Sequence, residues 1–159
     1  MISVFLVLLI TLFYSQSCFS PTQIDFTSYV TSGTYDWLVS DNYPYGTWAS
    51  LTSNTEGLIS IPEAPFIWDS SDCVCTITIT RPFFLPVIPS KVDLYILVDD
   101  YAIVNINGKC SYYVPGGITV LFDMTSYAQL GLNELKIVAT NLYGPGGLAY
   151  KLIAFSKLV

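Results

Sequence analysis

Between residues 76 and 155 the chain repeats one pattern: an apolar residue at every second position, stopped each time by turn-forming residues. "TITIT" (76–80) sets Ile77 and Ile79 on one face. "KVDLYILV" (91–98) does the same with Val92, Leu94, Ile96 and Val98, and "YAIVNIN" (101–107) with Ala102, Val104 and Ile106. "ITVLF" (118–122) follows a Pro-Gly-Gly turn. "NELKIVATN" (133–141) aligns Leu135, Ile137 and Ala139, and "GLAYKLIAF" (147–155) follows Gly-Pro-Gly-Gly. A period of two is the period of a strand with one buried face, and a helix cannot use it. Six such segments, with less regular pieces around Trp37 and Trp48, predict an all-β fold of two packed antiparallel sheets. The one helix-like stretch, 123–133, is expected to hold a single short turn started by Asp123 or Thr125 and ended by Gly131. "RPFFLPVIPSK" (81–91) should be a strand end followed by a stiff loop, because Pro82, Pro86 and Pro89 crowd it. The region 21–65 alternates weakly and is expected to contain long loops.

The first 20 residues, "MISVFLVLLITLFYSQSCFS", carry no charge. An apolar run of this length followed by small residues predicts a cleaved secretory signal peptide over 1–20, with one domain over 21–159. The run is short of the roughly 20 apolar residues that span a bilayer. Cleavage after Ser17 keeps Cys18 and leaves an even number of cysteines; cleavage after Ser20 leaves Cys73, Cys75 and Cys110. The expected setting is extracellular, with no transmembrane segment.

The net charge of −6 and the 11% of charged residues argue against nucleic acid and anionic membranes as partners, since both are recognised through clustered Lys and Arg. A chain that is 52% hydrophobic and holds 12 Tyr cannot bury all of them, so some are expected at a contact surface.

The order of motifs resembles the galactose-binding-domain-like jelly roll. Phe66-Ile67-Trp68 leads, Arg81 to Pro86 follows, and Asp99-Asp100, Asn107-Gly108, Asp123-Met124-Thr125 and Gly131-Leu132-Asn133 come in sequence over about residues 31–156. The resemblance implies a jelly-roll sandwich with Trp68 in its core. It implies no activity, because this architecture serves sugar-binding modules, adhesion modules and accessory domains alike. Pro82 departs from the usual Arg-x-Phe strand, since proline removes a ladder donor.

Asp99 and Asp100 read first as a two-residue hairpin link between 91–98 and 101–107. The alternative is a calcium pair, but calcium takes about six to eight oxygens and two carboxylates supply too few. Asn107-Gly108 is the strongest of the hairpin signals. Among the cysteines, a Cys75–Cys110 disulfide is expected in an oxidising compartment. A zinc site is disfavoured by the absence of His and by the Cys-x-Cys spacing.

Sugar recognition needs an aromatic platform beside fixed polar groups. "SDNYPYGTW" (40–48) combines both, and the candidate ligand-binding residues are Trp37, Asp41, Asn42, Tyr43, Tyr45 and Trp48, with Asn141 and Tyr143 from "NLYGPGG" (141–147). No cofactor is expected beyond that calcium alternative. No catalytic residue is expected: there is no His to act as a base, and Glu56, Glu63 and Glu134 lie in unrelated contexts. The expectation is a secreted, non-enzymatic module, lectin-like through loops at one end of the sandwich. The alternative is a structural extracellular protein that self-associates into a fibre, coat or matrix.

Overall fold

A computed structural model describes residues 24–52, 58–70 and 73–158, with the backbone alone at Cys110. The signal-peptide reading of 1–20, and Cys18 with it, lies outside the described residues. In chain order the strands are β1 (Ile24–Thr31), β2 (Trp37–Ser40), β3 (Thr47–Trp48), β4 (Ser50–Leu51), β5 (Ile67–Trp68), β6 (Thr76–Leu85), β7 (Pro89–Val98), β8 (Tyr101–Ile106), β9 (Lys109–Pro115), β10 (Val120–Asp123), β11 (Gly131–Thr140) and β12 (Leu148–Leu158). A 3-10 turn at Thr125–Tyr127 precedes β11.

The strands form a two-sheet antiparallel sandwich. One sheet runs β10-β7-β12, and β12 is flanked on its far side by β1 along most of its length and by β5, itself paired with β4, at its start. The other runs β3-β2-β6-β11-β8-β9. The alternating residues meet between them: Ile77, Ile79, Val92, Leu94, Ile96, Val98, Ala102, Val104, Ile106, Leu135, Ile137 and Ala139 are all fully buried. Trp68 joins the same core. The outward face of the first sheet is partly covered by Ile61, Ala64 and Phe66, which pack on Leu97 and Ala149. β1 and β12 pair with Ile24 opposite Leu158.

The motif residues prove to be braces of this sandwich. Asn107 and Gly108 both take left-handed backbone angles and turn β8 into β9. The Asn107 side chain then donates from Nδ2 to Tyr127 O and Asn133 Oδ1, and accepts from the Glu134 amide, all at 2.9 Å. Asn133 is buried and donates to the carbonyls of Gln129 and Gly131. Asp123 accepts from the Thr125 amide and hydroxyl, while Thr125 Oγ1 accepts from the Val92 amide. Gly131, at a positive φ, opens β11 rather than only ending a helical turn. Pro82 does not interrupt the ladder: β6 and β11 stay in register from Thr76↔Thr140 to Leu85↔Gly131.

Asp99 and Asp100 correct the hairpin expectation. β7 belongs to one sheet and β8 to the other, so the link crosses between sheets. Both edges of β7 are taken by β10 and β12, and both edges of β8 by β9 and β11. Gly116 packs against this crossing so closely that a Cβ there would lie 2.0 Å from the Asp99 carbonyl oxygen.

Candidate functional site

The registers gather five connections at one end of the sandwich. Ser40 faces Ile77, Thr140 faces both Thr76 and Tyr101, and Leu148 faces Val98. The loops 41–46, 73–75, 99–100, 116–117 and 141–147 therefore emerge together. Backbone bonds knit them: Asp99 N to Gly147 O, Gly117 N to Val98 O and Asn141 N to Cys75 O, each 2.9 Å.

The tryptophans stand beside this end, on strands rather than loops. Leu38 points into the core, so its neighbours Trp37 and Val39 point out from the second sheet. Trp37 pairs with Trp48 across β2 and β3, with ring centroids 5.1 Å apart and the planes nearly perpendicular. Trp37 is 43% and Trp48 59% exposed. Gly46 lies under the Trp37 indole, where a Cβ would meet Nε1 at 2.2 Å. Tyr45 precedes it and is 96% exposed. Asp41 and Asn42 are exposed in the same loop. Tyr43 is partly buried: its amide bonds Ser40, and its hydroxyl lies 2.8 Å from Ser70 Oγ.

Asn141 departs from the expected binding role. It is 1% exposed, and its Nδ2 donates to the carbonyls of Cys73 and Gly144, fixing the 141–147 loop from within. Tyr143 in that loop is 81% exposed. Asp100 accepts from the Leu142 amide, so it too braces the loop. Asp99 sits beside it, and partial burial, followed by the neighbouring Asp100 charge, raises its carboxyl above the ordinary range.

The cysteines correct a second expectation. Cys75 is disulfide-bonded to Cys73, not to Cys110. The physical reason is local: a turn before β6 brings the two Cα atoms to 5.3 Å, within bridging range. Asp69, Cys73 and Cys75 place their donor atoms within 4.8 Å of one another, a grouping of three ligand-type side chains among the described residues.

Some buried polar groups escaped the sequence reading. Asp36 is fully buried; it accepts from the Gly33 amide and from the Tyr150 hydroxyl at 2.8 Å, with Arg81 3.6 Å away. Burial raises its carboxyl, while Tyr150, Gly33 and Arg81 pull the other way. Burial and the Asp36 charge raise Tyr150 in turn. Arg81 also stacks over the Tyr35 ring at 4.5 Å. The parity of β2 was the available signal, since Asp36 and Ser40 share the inward side of Leu38.

Two grooves, of about 300 and 210 Å³, lie away from the loop end: one beside Phe26, Ser90 and Phe155, the other beside Ile61, Tyr95 and Ile153. At the loop end and its flank the rings of Trp37, Trp48, Tyr45 and Tyr143 are exposed, and rings so placed offer contact along a face.

No family model matches the chain, and no curated protein matches it. Among solved structures it is similar to the β-glucuronidase of Ruminococcus gnavus, at 14% identity and a TM-score of 0.54, over 86% of this chain and 29% of that one. The complex of that enzyme with uronic isofagomine aligns at 15% identity and a TM-score of 0.52, over 86% of this chain and 30% of that one. The chain spans under a third of the length of these enzymes. The likeness is one of fold: the antiparallel β-sandwich matches under a third of that β-glucuronidase chain.

Proposed function

We propose that this chain is a secreted, non-enzymatic module of the galactose-binding-like type that recognises carbohydrate through its aromatic flank and neighbouring loops. The observation that carries the reading is the trio of exposed rings, Trp37, Trp48 and Tyr45, beside the polar residues Asp41 and Asn42. Stacking of indole and phenol faces on sugar rings, with side-chain polar groups fixing orientation, is the chemistry such a surface offers. The motif order and the shared sandwich with a glucuronidase support the family reading. Tyr143 extends the surface along the loop end. Calcium, if it binds, would do so through Asp99, since Asp100 is engaged by the Leu142 amide.

The test is a glycan array run with calcium and with chelator. Saturable binding to one sugar class is expected, and Trp48→Ala and Tyr45→Ala should each lower it at least tenfold while leaving the thermal melt unchanged. A blank array with folded protein overturns the reading. Loss of binding in chelator would assign Asp99 a ligand role.

A second reading is self-association into an extracellular assembly. It rests on the outward face of the second sheet, where Val39, Thr78, Val138, Ile103 and Tyr113 form one row straight across five strands. Val39, Ile103 and Tyr113 are exposed. Concentration-dependent sedimentation would favour it, and a monomer at millimolar concentration would exclude it.

A further inference from the structure

The Cys73–Cys75 bridge carries chemistry that sugar recognition leaves unused. It joins nothing distant, because one residue separates the two cysteines and both precede β6. Loops this short contribute least to stability through chain entropy, so holding the fold is a weak reason for the bridge.

Cys73 Sγ also lies 3.1 Å from Asp69 Oδ2. That carboxylate is buried and accepts a second bond, 3.0 Å, from Ser40 Oγ. A disulfide sulfur has no proton to donate, so the bridge and an S–H···O bond to Asp69 exclude each other. The structure holds the bridge, and reduction would put the S–H···O bond in its place. In the bridged state the buried carboxylate faces a sulfur that gives it nothing. In the thiol state it gains a charge-assisted bond.

Both candidate loops hang on this segment. Cys73 O accepts from Trp68 Nε1 and from Asn141 Nδ2, each at 3.1 Å, and Asn141 holds Gly144 in the 141–147 loop. Asn141 Oδ1 is buried and accepts no bond among the described residues, so the bridged arrangement leaves a polar atom unsatisfied at the same junction. On the other side, Asp69 bonds Ser40, whose Oγ accepts from the Tyr43 amide in the 41–46 loop.

We propose that Cys73–Cys75 is a reversible thiol-exchange site whose redox state sets both loops. An external thiolate attacks Cys73 Sγ, because Cys75 packs against the core. The S–S bond breaks, Cys75 leaves as thiolate and takes a proton from water, and a mixed disulfide forms on Cys73. A second external thiol attacks that mixed disulfide at the external sulfur. Two external thiols become one disulfide, the bridge gains their two electrons, and the proton that ends on Cys73 is donated to Asp69. The inference does not depend on the carbohydrate reading.

The test equilibrates the full secreted chain in glutathione buffers of graded ratio, with chelator throughout so that no metal occupies the sulfurs. Thiols are trapped by alkylation and located by peptide mass spectrometry. Cys73 and Cys75 are expected to open together while near-UV circular dichroism stays native. Asp69→Asn should shift the midpoint roughly tenfold toward more reducing buffer, the loss of one hydrogen bond to a charged group. Because the Cys73 thiol and Ser40 Oγ would share Asp69 Oδ2, the thiol state loosens Ser40, and amide exchange at Tyr43 should be several-fold faster there, with β8 unchanged. Cys75→Ser, which holds Cys73 as a thiol, should reproduce that change even if Asp69→Asn fails to fold. Alkylation of both cysteines without reductant, opening only on global unfolding, or identical Tyr43 exchange in the two states would overturn the proposal.

Discussion

Asp36 shows how one residue can work against the fold that contains it. Its folded carboxyl is raised by burial, so the native state holds its proton more tightly than the unfolded chain does. The sign follows: the protonated form favours folding, and that contribution is lost as pH rises from the ordinary 3.8 through the raised value. Asp36→Asn abolishes the titration and keeps one acceptor oxygen, for the Gly33 amide, while its new Nδ2 can donate to the Tyr150 hydroxyl oxygen. The stability of the variant minus that of the parent should therefore grow from pH 3 toward neutrality and then level off, as urea melts across that range would show. Arg81 softens the effect without reversing it, because its guanidinium is 3.6 Å away and partly exposed. Gly46 is the complementary case, a residue whose missing side chain is what matters. Its φ of +90° and the indole above it both exclude a Cβ. Gly46→Ala should lower stability by about 1–2 kcal/mol and displace Trp37, quenching or shifting its fluorescence.

At the scale of elements, legibility followed burial. β6, β8 and β11 each bury one face, β7 and β12 bury that face and part of the other, and all five could be read from alternation alone. β1 could not: Val30 is its only buried residue, so "IDFTSYV" has no core face to announce it. β9 was missed for a related reason, since its tyrosines give no clean contrast between its sides. The Asp99-Asp100 link was misread because two residues between alternating strands satisfy a hairpin and a sheet crossing equally. The outcome is set by distant partners, β12 and β11, that local sequence does not name. For the candidate site, the rings of the 37–48 segment were visible as a composition, but Asn141 was not visible as a brace, because burial of a polar loop residue depends on what packs over it. The β8–β9 turn, which was legible, also links three segments through Asn107. Asn107→Ala should cost about 2–3 kcal/mol, from its lost bonds and its left-handed angle. Asn107→Gly should cost less, since it keeps the turn and loses only the bonds; chemical melts of both variants separate the two contributions.

For the molecule as a whole, the two sheets differ in what covers them. The first carries the 61–66 segment over its outer side, whereas the second leaves Val39, Ile103 and Tyr113 exposed and Val138 half-buried. An apolar strip on a chain this poor in charge is where association between copies would start. Val138→Lys places a charge at the centre of the row. It should abolish any concentration-dependent sedimentation while changing stability by under about 1 kcal/mol, because the site is on the surface. The two proposed readings, sugar binding at Trp48 and association through Val138, are therefore separable by single substitutions.

The pairing of Ile24 with Leu158 has a geometric corollary. Those two positions sit together at the end of the sandwich where β7 begins, and the five connections lie at the other, about 30 Å away along β12. A short linker joining 158 to 24, with the backbone opened at Gly117, should give a circular permutant that still folds. Anchored to a bead or a wall at either of these positions, the module would point its five connecting loops straight away from the support.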